Sequence, residues 1–377
     1  MDLIKQAAFD LHNDSIEEWN KTGKPIVGYT CSQVPVELFY AGGILPIRLR
    51  GVGVHGLDIA DAYYGPFICS FPKAILQSMA EGKLAHLSGA IIADGCDSMR
   101  RLDECWRKAG DDYPHMKLPF FHYINVPRKS VEHARQWFID EIDQLKQKLE
   151  SHFSVTISME NIQNAIRVYN CNRTLIQKID MLRQSNPPKI LGSDAFCISL
   201  AAQSMSPEFF QRQVSEFLNN FSSKSNDASN AKRLLLSGSA YDDIHLIQTV
   251  EAAGAHVVGE NVCFGPLHQK NHISESCPPY EALADHYILE CPCPRMFGRF
   301  DYRLNLIKKK IQTTQANGVI LQNIRFCDLH GSENGLLERE LEKDGIPCIR
   351  LEREYGSQTD TGRLRMRIDA FLERITV

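Results

Sequence analysis

The chain has 377 residues, 43% of them hydrophobic and 23% charged, with a net charge of −4 at pH 7. That length suits two domains rather than one small core, and the slight acidity gives no electrostatic reason to bind nucleic acid or an anionic membrane. No apolar run reaches the roughly 18–20 residues that span a bilayer, and the start, MDLIKQAAFDLHNDSIEEW, lacks a basic patch followed by an apolar core, so no signal peptide and a cytoplasmic location are expected.

In chain order, the opening segment is expected to be an amphipathic helix with Leu3, Ile4, Ala7, Ala8, Leu11 and Ile16 near one face. Pro25–Thr30, Ile44–Arg50, Ala90–Gly95 and Leu118–Val126 are rich in β-branched and aromatic residues and bounded by Gly, Pro or Asp, which predicts strands. Val34–Gly43 between the first two reads as a helix that stops at a glycine pair. Strand, helix, strand at this spacing implies a parallel sheet with crossover helices. From Ser130 to about Asn220 the pattern is helical. Ser130 is placed to cap a helix running to about Phe153, Ser158 opens a second that ends at Pro187–Pro188, and Ser206–Leu218 is a third with Pro just inside its start. Ser222–Lys232 is small and polar and reads as a linker. Strands are then expected at Lys232–Ser239, His256–Glu260, Gly318–Asn323 and Pro347–Glu352. Helices are expected from Asp242–Asp243 to Ala253, from about Arg299 to Ala316, at Glu333–Lys343 and at Arg363–Arg374. No tandem repeat stands out. The predicted architecture is α/β: two doubly wound parallel-sheet domains with a helical N-terminal segment and a helical insert between them. The boundaries fall at 1–150, 151–225 and 226–377.

Twelve cysteines are many for such a chain. In a reducing compartment they are either buried thiols or metal ligands rather than disulfides. In an open parallel sheet, ligands bind outside the carboxyl ends of the strands, and Cys31, Cys96, Cys263 and Cys327 each follow a predicted strand. Cys96 also opens a helical run, where free N–H groups and the positive dipole end favour a thiolate. Cys69 lies just before a helix and is similarly placed. Cys291-Pro292-Cys293-Pro294 is a rigid extended pair of which only one thiol would face a given metal. Cys105, Cys171, Cys197 and Cys348 read as core thiols packed as small hydrophobes. No C-x₂₋₄-C pair suggests zinc, and the closely spaced ferredoxin run is absent, so spacing alone leaves metal ligation and loop thiols both open.

Other chemistry is thin. There is no G-x-x-x-x-G-K-[ST] phosphate loop. Gly51, Gly53 and Gly56 form a G-x-G-x-x-G after a strand, but no clear helix opens there. No H-E-x-x-H occurs. His330, three residues after Cys327, reads as a solvated loop histidine or a ligand. Arg48, Arg100 and Arg101 sit near the predicted ligand edge, as surface charges or as partners for phosphate or carboxylate. No catalytic acid or base is assigned.

Several segments together resemble the 2-hydroxyacyl-CoA dehydratase family, which includes the cluster-bearing subunits of benzoyl-CoA reductases and the double-cubane cluster proteins. They are Val27–Leu49, Asp61–Leu76, Gly95–Leu102, Leu118–Arg128, Gly259–Gly265, Cys291–Met296, Arg325–Glu333 and Gly345–Gly356, in the family's order along nearly the whole chain. The resemblance implies two α/β domains and an oxygen-sensitive 4Fe–4S cubane held by Cys69, Cys96 and Cys327. In the double-cubane branch, an eight-iron cluster would add Cys31, Cys263 and one of Cys291 or Cys293. It further implies a separate ATP-dependent iron–sulfur activator that injects low-potential electrons. A homologous second subunit or a homodimer, and an acyl-CoA substrate that passes through a radical, are implied too. The alternatives it leaves are a double-cubane reductase of small molecules and a cluster-carrying partner with no substrate of its own.

Overall fold

The computed structural model describes residues 1–221, 231–266, 271–356 and 361–376. The first sheet holds β1 (Ile26–Tyr29), β2 (Leu45–Arg48), β3 (Gly89–Ala93) and β4 (Phe120–Ile124) in the order β2-β1-β3-β4. The second holds β5 (Arg233–Gly238), β6 (His256–Val262), β7 (Gly318–Ile324) and β8 (Cys348–Arg353) in the order β6-β5-β7-β8. Every pairing is parallel. The inner strands β1, β3, β5 and β7 are buried along their whole length, while β4 and β8, at the sheet edges, are only partly covered. This is the pattern of a parallel sheet covered on both faces. The predicted α/β class with two parallel-sheet domains is therefore the observed one. No tandem repeat stands out in the sequence, yet both sheets wind in the same order. In each, the chain steps out to one side and then crosses to the other, leaving a switch point beside the first strand, between β1 and β3 and between β5 and β7.

The helical segments hold some surprises. The N-terminal helix is two helices, Asp2–Phe9 and Asp14–Asn20. Asn13 breaks the run: its side-chain oxygen accepts from the Ser15 and Ile16 N–H groups, and its amide donates to the Ser204 carbonyl at 3.0 Å. Ser158 and Ser206 cap Met159–Gln184 and Pro207–Asn219 as expected. Ser130 does not cap Glu132–Phe153; its hydroxyl donates to the Ile288 carbonyl at 2.8 Å instead, because a tertiary acceptor outcompetes the local one. The helix expected at Glu333–Lys343 starts earlier, at Asp328, directly after Cys327. Pro279–Ala284 runs into a π-helical turn at Asp285–Leu289, neither foreseen in the sequence. The polar stretch read as a linker lies, over residues 222–230, outside the described residues.

Gly51 belongs to no dinucleotide loop. A Cβ there would come 2.4 Å from the Ala74 Cβ, its N–H donates to the Tyr355 hydroxyl, and the only helix that follows, Asp58–Asp61, is a single turn. The glycine serves close packing rather than a phosphate. Ile26, Leu45 and Ile92 of the first sheet share one continuous buried apolar set with Leu234, Leu236 and Ile320 of the second. Ile4 and Ala7 of the first helix pack instead with Ile176, Ile179 and Phe210 of the central helices.

Candidate functional site

The carboxyl ends of the two sheets open onto one cavity that is partly open to solvent. Six cysteines line it: Cys31, Cys69, Cys96, Cys263, Cys293 and Cys327. They come from separate connecting segments along the chain, so sequence spacing never brings them together. The topology does.

Cys69, Cys96 and Cys327 are built alike. Each is the N-cap of a helix, Ser70–Ala80, Asp97–Asp112 and Asp328–Lys343 respectively, with extended backbone angles. The first N–H groups of each helix oppose the upward push of burial on its thiol, Phe71 at Cys69, Met99 at Cys96, Leu329 and His330 at Cys327, without closing a side-chain cap bond. Ser98 opposes burial at Cys69 as well. Three positive helix ends thus converge on one space, an arrangement that favours bound negative charge. Phe326, immediately before Cys327, has a φ of +63°. This left-handed conformation is costly for a bulky residue and swings the chain from β7 into the capping position.

Cys31, Cys263 and Cys293 cap no helix. Cys31 follows β1 and Cys263 follows β6 directly, since that strand runs to Val262. Cys263 accepts from the Arg48 guanidinium, whose Nη2 lies 3.3 Å from its Sγ. The six fall into two neighbourhoods. Cys96 feels Cys69 and Cys327, whereas Cys293 feels Cys291 first and then Cys31 and Cys263. Two links join the neighbourhoods, Cys31 to Cys96 and Cys263 to Cys327.

Burial governs the thiols. It pushes Cys69 up to about 12 and raises Cys96, Cys263, Cys293 and Cys327 above the usual thiol range. Without a metal these groups stay protonated at neutral pH, and a metal must displace their protons to bind. Among the described residues no three His, Cys, Asp or Glu side chains stand close enough to hold one metal ion.

The remaining residues singled out in the sequence separate cleanly. Cys291 is buried beside the pair but is absent from the cavity wall, whereas Cys293 is in it. Cys105, Cys197 and Cys348 are buried thiols. Cys171 is exposed on its helix rather than a core thiol, because the helix Met159–Gln184 turns that position outward. His330 is in the cavity wall. Arg100 and Arg101 are exposed and pair with Asp97 and Glu104 on their own helix. Arg48 is 1% exposed and lines the cavity. Arg303 and Glu333, also in the wall, form a buried bidentate ion pair, and Arg295 binds Asp94 at 3.2 Å. These three carried no local sequence signal, since their partners are distant in the chain.

Comparisons with known proteins identify a family. The model of a family described as 2-hydroxyglutaryl-CoA dehydratase, D-component, matches residues 31–375. A benzoyl-CoA reductase subunit from Thauera aromatica is 22% identical over 351 residues, covering 90% of this chain and 89% of that one. The (R)-phenyllactyl-CoA dehydratase beta subunit of Clostridium sporogenes is 21% identical over 96% of this chain and 94% of its own. The beta subunit of lactoyl-CoA dehydratase from Anaerotignum propionicum is 23% identical over 94% and 93%.

Proposed function

The chain belongs to the 2-hydroxyglutaryl-CoA dehydratase D-component family and is an enzyme subunit of it, and on that premise we propose that it is the iron–sulfur component of an acyl-CoA dehydratase or benzoyl-CoA-reductase-type enzyme. Cys69, Cys96 and Cys327 hold a 4Fe–4S cluster in this reading. The observation that carries it is the convergence of three cysteine-capped helix N-termini on one cavity. The donor set suits the group. It is made of thiols, the soft ligands that iron–sulfur clusters take. The three thiols line the wall of one cavity. When bound, the cluster supplies single electrons at low potential.

The protein's own residues do the rest. The N–H groups of Phe71, Met99, Leu329 and His330 stabilise the thiolates. Phe71, Met99, Ile307, Ile324 and Leu337 in the wall exclude water from the space where substrate would meet the cluster. In this reading the electrons come from a separate ATP-dependent activator, as the family resemblance implies. A second subunit is proposed because two of the relatives are named as beta subunits. No helix among the described residues is long and apolar enough to cross a membrane, and a cytoplasmic site is proposed.

A second reading is favoured by one further observation: Cys31, Cys263 and Cys293 line the same cavity as the first three. Six thiols in two neighbourhoods suit a double-cubane cluster, and with it a reductase of small molecules. Iron and sulfide analysis of anaerobically purified protein decides: about four irons per chain fits the first reading and about eight the second. Protein that binds no iron under these conditions overturns both. Turnover with the activator and a panel of acyl-CoA esters then separates the substrate classes.

A further inference from the structure

Arg48 stands in the cavity wall at the end of β2, opposite Tyr29 in the register with β1. It is 1% exposed, and a buried guanidinium ordinarily needs a carboxylate to offset the loss of water. The other buried arginines near it have one. Arg50, two residues along the chain, faces Asp242 at 3.8 Å and donates to the Ala8 carbonyl. Arg173 binds Glu37, Arg295 binds Asp94 and Arg303 binds Glu333. Arg48 has no carboxylate within ion-pair distance among the described residues. Its contacts are the Cys263 sulfur at 3.3 Å and the faces of Phe264 and Tyr29, at 4.7 and 5.5 Å from the guanidinium carbon. Its Nε has no partner. Stacking on two rings orients the plane but supplies no counter-charge. The fold has therefore built a fixed, oriented positive charge into the wall of a cavity of cysteines and left its anion to be provided there.

The placement is selective. Cys69, Cys96 and Cys327 already receive positive potential from three helix N-termini. Cys31, Cys263 and Cys293 sit at none, and Arg48 is on their side. We propose that Arg48 is the resident counter-cation of the Cys31–Cys263–Cys293 half of the cluster site, supplying there the positive potential that helix ends supply to the other half and so keeping that half reducible. This rests on the eight-iron reading. Reduction adds negative charge, and a buried cation held by the protein favours the reduced form over the oxidised one without itself gaining or losing electrons or protons. Arg48 is thus a positioning and tuning residue, not one that reacts. It also lines a second, smaller cavity beside Tyr169 and Arg173, so truncation to Ala would join the two spaces. Substitutions that keep the stem are the informative ones.

The test is a spectroscopically monitored redox titration, with Eu(II) as reductant, of wild type, Arg48→Met and Arg48→Lys purified anaerobically, with iron counts and melting temperatures on the same samples. In the wild type about eight irons are expected per chain. Arg48→Met should keep its iron and show one couple shifted to more negative potential, by at least tenfold in the reduced-to-oxidised ratio or ~59 mV for one electron. Arg48→Lys, which restores the charge without the planar stack, should recover most of that shift. If Arg48→Met loses about half the iron while Arg48→Lys retains it, the counter-charge role is supported by retention instead. Full iron with an unmoved potential in Arg48→Met overturns the assignment and leaves the eight-iron reading standing, as does equal iron loss in both variants, which marks a packing role. About four irons in the wild type overturns the eight-iron reading and this assignment with it.

Discussion

At the residue scale, position along the chain and position in space weigh the cysteines differently. Cys96 is legible in the sequence because a strand precedes it and a polar helical run follows it, which is the signature of a capping position. Cys69 has no strand before it; its place just before a helix hints at the same role, and the family resemblance names it a ligand. In the fold it is the N-cap of its helix as Cys96 is of its own. Cys171, which reads as a core thiol, is exposed, so it makes a control that disturbs neither core nor cavity. Cys96→Ala should abolish or at least halve the iron of anaerobically purified protein, because a cubane left with two protein thiolates is poorly held. Cys171→Ala should leave the iron unchanged. Equal loss in both, measured by iron analysis, would mean the ligand set is wrong.

At the scale of elements, the central helices do more than connect the sheets. Arg183, near the end of Met159–Gln184, is fully buried and binds Asp180 on its own helix and Glu260 on β6. Lys310, on Phe300–Thr314, binds the same Asp180 at 3.0 Å. Three elements are thereby fastened around charges that water cannot reach. Arg183→Met leaves Glu260 buried without its cation and should cost about 3–5 kcal/mol in urea unfolding. A loss below about 1 kcal/mol, the range of exposed pairs, would show that Glu260 takes up a proton or finds another partner. None of this is readable in sequence, because Arg183 and Glu260 belong to segments that meet only after both have folded.

At the scale of the whole molecule, the two sheets share an order and point their carboxyl ends at one cavity. Cys31, Cys69 and Cys96 belong to the first half of the chain and Cys263, Cys293 and Cys327 to the second. Each proposed ligand neighbourhood draws on both halves, so a cluster bound there cross-links them. Removal of iron by a chelator under anaerobic conditions should lower the melting temperature by about 5 °C or more. A hundredfold excess of a ligand over its dissociation constant stabilises by about 2.7 kcal/mol, and a domain of this size shifts by about 2–4 °C per kcal/mol. An unchanged melting temperature after verified iron loss would mean that the cavity does not tie the halves together.

The sequence by itself determined the class of the fold, because continuous apolar runs alternating with amphipathic ones permit little but parallel sheets wrapped in helices, and local chemistry at Ser158 and Ser206 sets helix starts directly. It also determined that cysteines would gather at strand ends. Local rules failed where a distant partner competed. Ser130 turns to Ile288 instead of capping, and Asn13 breaks a helix that hydrophobic spacing would continue. Only the tertiary structure decided which thiols share a space. Proximity between the two halves of the chain is set by how two sheets pack, not by any spacing. Cys293 rather than Cys291 faces the cavity, and Cys69 joins Cys96 and Cys327 at three converging helix ends. Arg48, read in the sequence as a surface charge or an anion partner at the ligand edge, becomes in the fold a buried cation with a sulfur for its neighbour.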